Sequence, residues 1–240
     1  MRMDIVTIFP EMCEGVFASS ILKRAVEAGI ISAHFTNFRD FAFDKHKKVD
    51  DIPFGGGSGM VLKPEPLFLA IEHIKNESNI ENSRVLLMDP SGEKFSQPKA
   101  IELSKYDQLI FICGHYEGFD ERIRTLADES LSIGDYVLTG GELPAMVIAD
   151  AVARMLPGVL GSAESPVTDS FYEGILGYPT YTRPREFRGM ETPEVLLSGN
   201  HANIRKWRRE QALRRTKELR PELLEKAELT EEDKRCLESI

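Results

Sequence analysis

The chain has 240 residues, 42% hydrophobic and 29% charged, a balance that fits a globular protein and excludes a disordered or fibrous one. No apolar run approaches the roughly 18 residues of a bilayer span, and a formal net charge of -9 argues mildly against nucleic acid as a partner. Cys13, Cys113 and Cys236 are far apart and form no CxxC pair, so neither a disulfide framework nor a zinc site is supported.

The first residues, MRMDIVTIFPEM, lack the apolar run and small-residue cleavage site of a signal peptide, which sets the expectation of a cytoplasmic protein. MDIVTIF (3 to 9) reads as a strand, 11 to 28 as helical, and SAHFTNF (32 to 38) as a second strand. FGGGSGMVLKP (54 to 64) is rich in glycine, but Met60 stands where a P-loop needs lysine and where a dinucleotide fingerprint needs glycine. It is left as either a flexible loop or one that shapes a substrate site. Helical patterns follow near 65 to 76, 97 to 105 and 118 to 128, with strands at RVLLMD (84 to 89) and QLIFIC (108 to 113) between them. Ser96 fits an N-cap, with Pro98 tolerated in the first turn.

SIGDYVLTGGELPA (132 to 145) is harder to place. Ile133, Tyr136, Val137 and Leu138 suggest a strand with Gly134 inside it, running into Gly140-Gly141 and a helix over 142 to 156. Glycine weakens a strand interior, so this spacing implies that something approaches the backbone closely. Alternating apolar runs and amphipathic helices predict α/β architecture with a mostly parallel sheet. Ligands of such sheets lie beyond the carboxyl ends of the strands. Three glycine-bearing loops occupy that position: MDPSGEKF (88 to 95), CGHYEGFDERI (113 to 123) and SIGDYVLTGGELPA. Their backbone groups could enclose an adenine or a ribose.

A domain over 1 to 160 is expected, then a small, polar linker over 161 to 175 and helices only over 176 to 240. NHANIRKWRREQALRRTKEL is helical, Pro221 starts a further helix, and Thr230 caps the last one with Asp233 three residues on. Arg183, Arg185 and Arg188, with Arg205, Lys206, Arg208, Arg209, Arg214, Arg215, Lys217 and Arg220, make one basic segment in an acidic chain. By charge alone it is either a solvated helix face or a contact for phosphates.

CGHYEGFDERI, IGDYVLTGGELPA, DAVARMLPGVLG, DSF, YTRPREFRG and LLSGNHANIRKWR together resemble the bacterial tRNA (guanine-N1)-methyltransferase family, TrmD, of the SPOUT superfamily. TIFPEM, NFRDFAFDKHKKVDDIPFGGGSGMVLKPEP and RVLLMDPSGEKFSQPKA extend the resemblance over essentially the whole chain, in order. It implies a deep trefoil knot in the sheet, which general rules of chain topology would exclude, and S-adenosylmethionine bound bent within that knot. Carried over by position, the cofactor contacts are Met88 and Pro90; Gly114, Tyr116 and Glu117; and Ile133, Gly134, Asp135, Tyr136, Val137, Leu138, Gly140, Gly141 and Pro144. One departure stands out: the family commonly has Ser-Pro-Gln-Gly where this chain has Asp89-Pro90-Ser91-Gly92. It bears on cofactor affinity and leaves Pro90 and Gly92 in place.

The implied reaction is methyl transfer to N1 of guanine 37 in tRNA, with a guanine required at position 36. Neutral guanine carries a proton on N1, so a base must remove it while negative charge develops on O6. By resemblance the base is Asp169 and the group near O6 is Arg154. A carboxylate of ordinary pKa, ~3.9, is weak for this work; burial and stabilisation of the enolate-like O6 by Arg154 together would supply the difference. Without the family, Asp169 reads as a linker aspartate or N-cap, Arg154 as a surface ion-pair partner and Trp207 as core. The resemblance also implies a homodimer in which Arg154 of one chain works with the partner's Asp169. The arginines at 183, 185, 188, 205, 208, 209, 214 and 215 are the candidate tRNA contacts. Magnesium dependence is associated with the family, and no carboxylate cluster in the sequence fixes its ligands. Two other readings are a non-enzymatic RNA-binding module and a nucleotide-phosphate enzyme built on the GGGSG loop. The first leaves the three glycine loops unexplained, and the second lacks the P-loop lysine.

Overall fold

A computed structural model of the chain describes residues 1–161 and 165–240. Two compact units emerge, Met1–Ala163 and Glu164–Ile240. The first runs β1 (Arg2–Thr7), α1 (Pro10–Phe17), α2 (Ser20–Glu27), β2 (Ser32–Asn37), β3 (Asp50–Asp51), β4 (Val61–Leu62), α3 (Pro64–Ser78), β5 (Ser83–Lys94), α4 (Gln97–Leu103), β6 (Gln108–Cys113), β7 (Glu129–Ser132) and α5 (Glu142–Ala153). Five of these strands make a wholly parallel sheet in the order β2-β1-β6-β5-β7, while β3 and β4 form a short antiparallel pair.

The pleat sorts side chains onto two faces, as alternation requires. Leu86, Met88, Leu109, Phe111 and Cys113 pack against α1, α2, α4 and α5. Val85, Leu87, Ile110 and Ile112 pack against Leu67, Ala70, Ile71 and Ile74 of α3. Because both faces are covered, the central strand QLIFIC is buried at every position and reads as a continuous apolar run.

Several elements differ from the sequence expectation. The helix over 11 to 28 is two helices, because the chain breaks at Ser19, which is extended, and Ser20, at φ 53°. The pattern over 118 to 128 is a 3-10 turn, Glu121–Leu126, capped where the Asp120 carboxylate accepts from the Arg122 N–H. Ser96 stands at the N-cap of α4, but its hydroxyl makes no capping bond. The strand expected from Ile133 onward lies earlier, at Glu129–Ser132, and the chain leaves the sheet at Ile133. Tyr136 and Val137 are 56% and 84% exposed, so this stretch has no sheet face to bury.

The second unit holds α6 (Ser165–Thr168), the antiparallel pair β8 (Glu186–Phe187) and β9 (Met190–Glu191), α7 (Glu194–Leu197), α8 (His201–Leu219) and α9 (Glu231–Ser239). The hairpin corrects the expectation of helices only. Its turn residues Arg188 and Gly189 both have positive φ, as a two-residue hairpin loop of this kind demands, and strands of two residues carry no legible period. Pro221 opens a 3-10 turn, Pro221–Leu223, rather than an α-helix. Thr230 and Asp233 form the expected capping box on α9. The core of this unit gathers Ile175, Ala212 and Leu213 with Tyr178, Leu224, Ala227 and Leu237. Within the stretch read as a linker, the Phe171 N–H donates to the Ile175 carbonyl at 2.7 Å.

Candidate active site

Three loops, one within β5 and the others following β6 and β7, line a cavity of about 300 Å³. The first is a bulge inside β5. Met88 and Glu93 both face Leu131 of β7, so residues 89–92 loop out of the ladder. Gly92 is obligatory there, because a Cβ would lie 2.5 Å from the Leu131 nitrogen and the Ser130 carbonyl.

The second loop follows Cys113. Tyr116 takes φ 59°, rare for a side chain of its size. Its hydroxyl accepts from Arg39 at 3.2 Å, and the Glu117 N–H donates to the Met60 carbonyl at 3.0 Å. The glycine-rich segment therefore braces this loop: a Cβ on Gly59 would fall 2.3 Å from Glu117 Cγ.

The third loop crosses the second. The Gly141 N–H donates to the Gly114 carbonyl at 2.8 Å, and His115 bridges Gly140. A Cβ on Gly141 would sit 2.8 Å from both Cys113 Cα and the Gly114 nitrogen. Beyond the crossing, α5 begins with Glu142, which is 2% exposed and accepts from the Thr7 hydroxyl at 2.6 Å. Burial, with Glu142 nearby, pushes the Cys13 thiol up to about 12 and the Cys113 thiol well above its ordinary range. Both stay protonated and behave as small apolar groups.

Met88, Pro90, Gly114, Tyr116, Glu117, Ile133, Gly134, Tyr136, Val137, Leu138, Gly140, Gly141 and Pro144 all line the cavity. Asp135 does not; it is exposed and pairs with Lys94 at 3.0 Å. Asp89, noted in the sequence as a departure from the family pattern, also lines it; so do His115, Phe119, Glu121 and Arg124, which the sequence reading did not single out. They lie within or beside the same glycine motifs, which was their only signal. Asp89, Glu117 and Glu121 outnumber Arg124, so the lining favours a cationic ligand.

Arg154 is half-buried at the C-cap of α5, in the first unit. Asp169 is exposed just after α6, in the second. Among the basic residues, Arg205, Arg208 and Arg215 are exposed, as are Arg183, Arg185 and Arg188. Arg208 lies over the Tyr178 ring at 4.7 Å and Arg188 over Phe187 at 5.1 Å. Arg185 pairs with Glu194 and Arg214 with Glu210. Arg209 is engaged more firmly, reaching Asp233 through Nε and Nη2, each at 2.9 Å, and Glu173 through Nη1 at 2.7 Å. Trp207 is half-buried, its ring 6.4 Å from that of Tyr181.

The family model described as tRNA (Guanine-1)-methyltransferase TrmD matches residues 1–226. A tRNA (guanine-N(1)-)-methyltransferase of Staphylococcus aureus is 58% identical over 239 residues, 99% of this chain and 96% of that protein. One from Halalkalibacterium halodurans is 58% identical over 241 residues, 100% of this chain and 98% of its own. One from Desulforamulus reducens is 57% identical over 238 residues, 99% and 94% of the two chains.

Proposed function

The chain belongs to the tRNA (guanine-1)-methyltransferase family, TrmD, and from that premise we propose that it methylates N1 of guanine 37 in tRNA, with S-adenosylmethionine as donor. The observation that carries the reading is the convergence of three glycine-bearing loops on one cavity, in a chain whose relatives of this name match it end to end.

The residues present fit the cofactor. The cavity is bounded by three glycine-bearing loops, its acids outnumber its bases, and the loop crossing at Gly141 leaves no room for a side chain. Met88, Pro90, Gly114, Tyr116, Glu117, Ile133, Gly134, Tyr136, Val137, Leu138, Gly140, Gly141 and Pro144 would hold it. Bound there, S-adenosylmethionine supplies an electrophilic methyl group on a sulfonium. Magnesium finds no comparable fit: among the described residues, no group of three or more His, Cys, Asp or Glu converges, and no step is assigned to it.

Asp169 accepts the N1 proton of the guanine. The Arg154 guanidinium stabilises the negative charge that develops on O6. A trefoil threading of the sheet belongs to this reading. Its support is the chain's return from β7, at the sheet edge, to Gly114 beyond β6 and then into α5 against β1. So does a homodimer in which Arg154 acts with the partner's Asp169. Leu143 and Val147, one turn apart on α5 and 53% and 49% exposed, offer an apolar stripe for a second copy. The exposed arginines of the second unit contact the tRNA backbone. Among the described residues no helix is long and apolar enough to cross a membrane; a tRNA substrate supports a cytoplasmic site of action.

The test is transfer of labelled methyl from S-adenosylmethionine to an unmodified tRNA transcript with guanines at 36 and 37, mapped by mass spectrometry. Methyl on N1 of guanine 37 is the expected product. A protein that binds the cofactor yet leaves this transcript unmodified would overturn the acceptor. Asp169→Ala is expected to keep cofactor affinity and lose transfer; loss of cofactor binding instead would remove Asp169 from the base role.

A further inference from the structure

The looped-out segment 89–92 forms one wall of the cavity, yet it has no place in the β5–β7 ladder. What holds it is a side chain. Arg124, on the 3-10 turn Glu121–Leu126, forms an ion pair with the Asp89 carboxylate and donates to Ser91 Oγ at 3.2 Å. The same guanidinium reaches Ser130 Oγ of β7 at 3.5 Å and Glu121 at 2.9 Å, and lies 5.4 Å from the centre of the Phe119 ring. One arginine thus ties the first loop to β7 and to the turn beyond β6.

Asp89 depends on that arginine. It is 8% exposed; its Oδ1 accepts from the Ser91 N–H at 2.9 Å, while Oδ2 lies against the Arg124 guanidinium. A carboxylate buried this far needs a counter-charge, and Arg124 supplies it. Partial burial works against the charge on Arg124, but Glu121 and Asp89 outweigh it and keep its pKa above the ordinary value. Asp89 and Ser91 are also the two positions at which this loop departs from the pattern it resembles. Both departures are partners of the same arginine, so they read as one coupled feature.

We propose that Asp89 and Arg124 are a positioning pair whose ion pair fixes segment 89–92 as a wall of the cavity and so sets the affinity for S-adenosylmethionine. The proposal rests on the reading of the cavity as the cofactor site. Neither residue takes part in proton or methyl transfer; the pair acts through the shape of the wall.

The test is a double-mutant cycle. S-adenosylmethionine is titrated calorimetrically into the full-length wild type, Asp89→Asn, Arg124→Gln and the double variant. Thermal unfolding and steady-state kinetics are recorded on the same samples, and Arg124→Lys is included as a conservative rescue. Each single charge removal should weaken binding about tenfold, raise the cofactor KM to match and leave kcat within about twofold. The double variant should bind better than Arg124→Gln alone, since it leaves no buried carboxylate uncompensated, and Arg124→Lys should recover part of the loss. Singles that melt earlier but bind within about twofold of wild type would overturn the proposal, as would losses that simply add in the double variant. Asp89→Asn keeps the size of the side chain, so it tests the charge even if Arg124→Gln folds poorly. A wild type that binds no S-adenosylmethionine would overturn the reading of the site as well, and the first titration separates that failure from the others.

Discussion

At the scale of single residues, the site depends on atoms that are absent. Gly141 lies where two loops cross, with backbone atoms of Cys113 and Gly114 at 2.8 Å from any added Cβ. Backbone at a crossing cannot swing away as a flexible side chain can. Gly141→Ala is therefore expected to cost about 1–3 kcal/mol of stability and to remove detectable cofactor binding, read by thermal unfolding and calorimetry. A variant with wild-type affinity would mean that the crossing yields and that the glycine serves another purpose. The sequence reading noticed these glycines but placed Gly134 inside a strand and Gly140 and Gly141 directly after it. Strand propensity of Tyr136, Val137 and Leu138 pointed that way, and only the absence of a neighbouring strand overruled it.

At the scale of elements, α8 shows why charge counting needs geometry. The sequence grouped Arg209 with the other arginines as a phosphate contact, and the structure engages it with Asp233 at the start of α9. Hydrogen bonds from Arg209, helped by Thr230, hold the Asp233 carboxyl down at about 2, against an ordinary 3.8. A depressed carboxyl stabilises the fold above its unfolded pKa and loses that contribution as pH falls toward the folded value. Stability of order 2 kcal/mol should thus fade between pH ~4 and ~2. Acid unfolding of wild type and Asp233→Asn checks this: the gap should be full at neutral pH and close across that window. A constant gap would locate the acid sensitivity elsewhere. Exposed Arg205 and Arg215 should behave differently. Alanine at either should leave melting nearly unchanged and lower the salt slope of tRNA binding by about one.

At the scale of the whole molecule, the two proposed catalytic groups sit on different compact units, Arg154 on Met1–Ala163 and Asp169 on Glu164–Ile240. If each working site draws one group from each of two chains, two inactive variants can repair one another. Arg154→Ala and Asp169→Ala, unfolded and refolded together, should recover about a quarter of wild-type activity. Half of the random dimers are then mixed, with one intact site in each. Methyl-transfer assays on the mixed and separate preparations check it. No recovery, with mixed dimers demonstrated by mass, would place both groups of a site on the same chain.

The sequence by itself determined the parallel α/β class, the strand QLIFIC, the capping box at Thr230 and the three loops at the carboxyl ends of the strands. Each of these is written in local periodicity or in residue types at short spacing. Tertiary structure decided what depends on partners distant in the chain. It made a bulge of Asp89–Gly92 because Leu131 meets both Met88 and Glu93, brought Arg124 to that bulge, and set Glu142 against Thr7. It engaged Arg209 with Asp233 and laid the GGGSG segment against Glu117. Local pattern sets which face of an element is apolar. Which charge compensates a buried carboxylate, and which backbone must remain bare, is settled only when segments remote in sequence pack together.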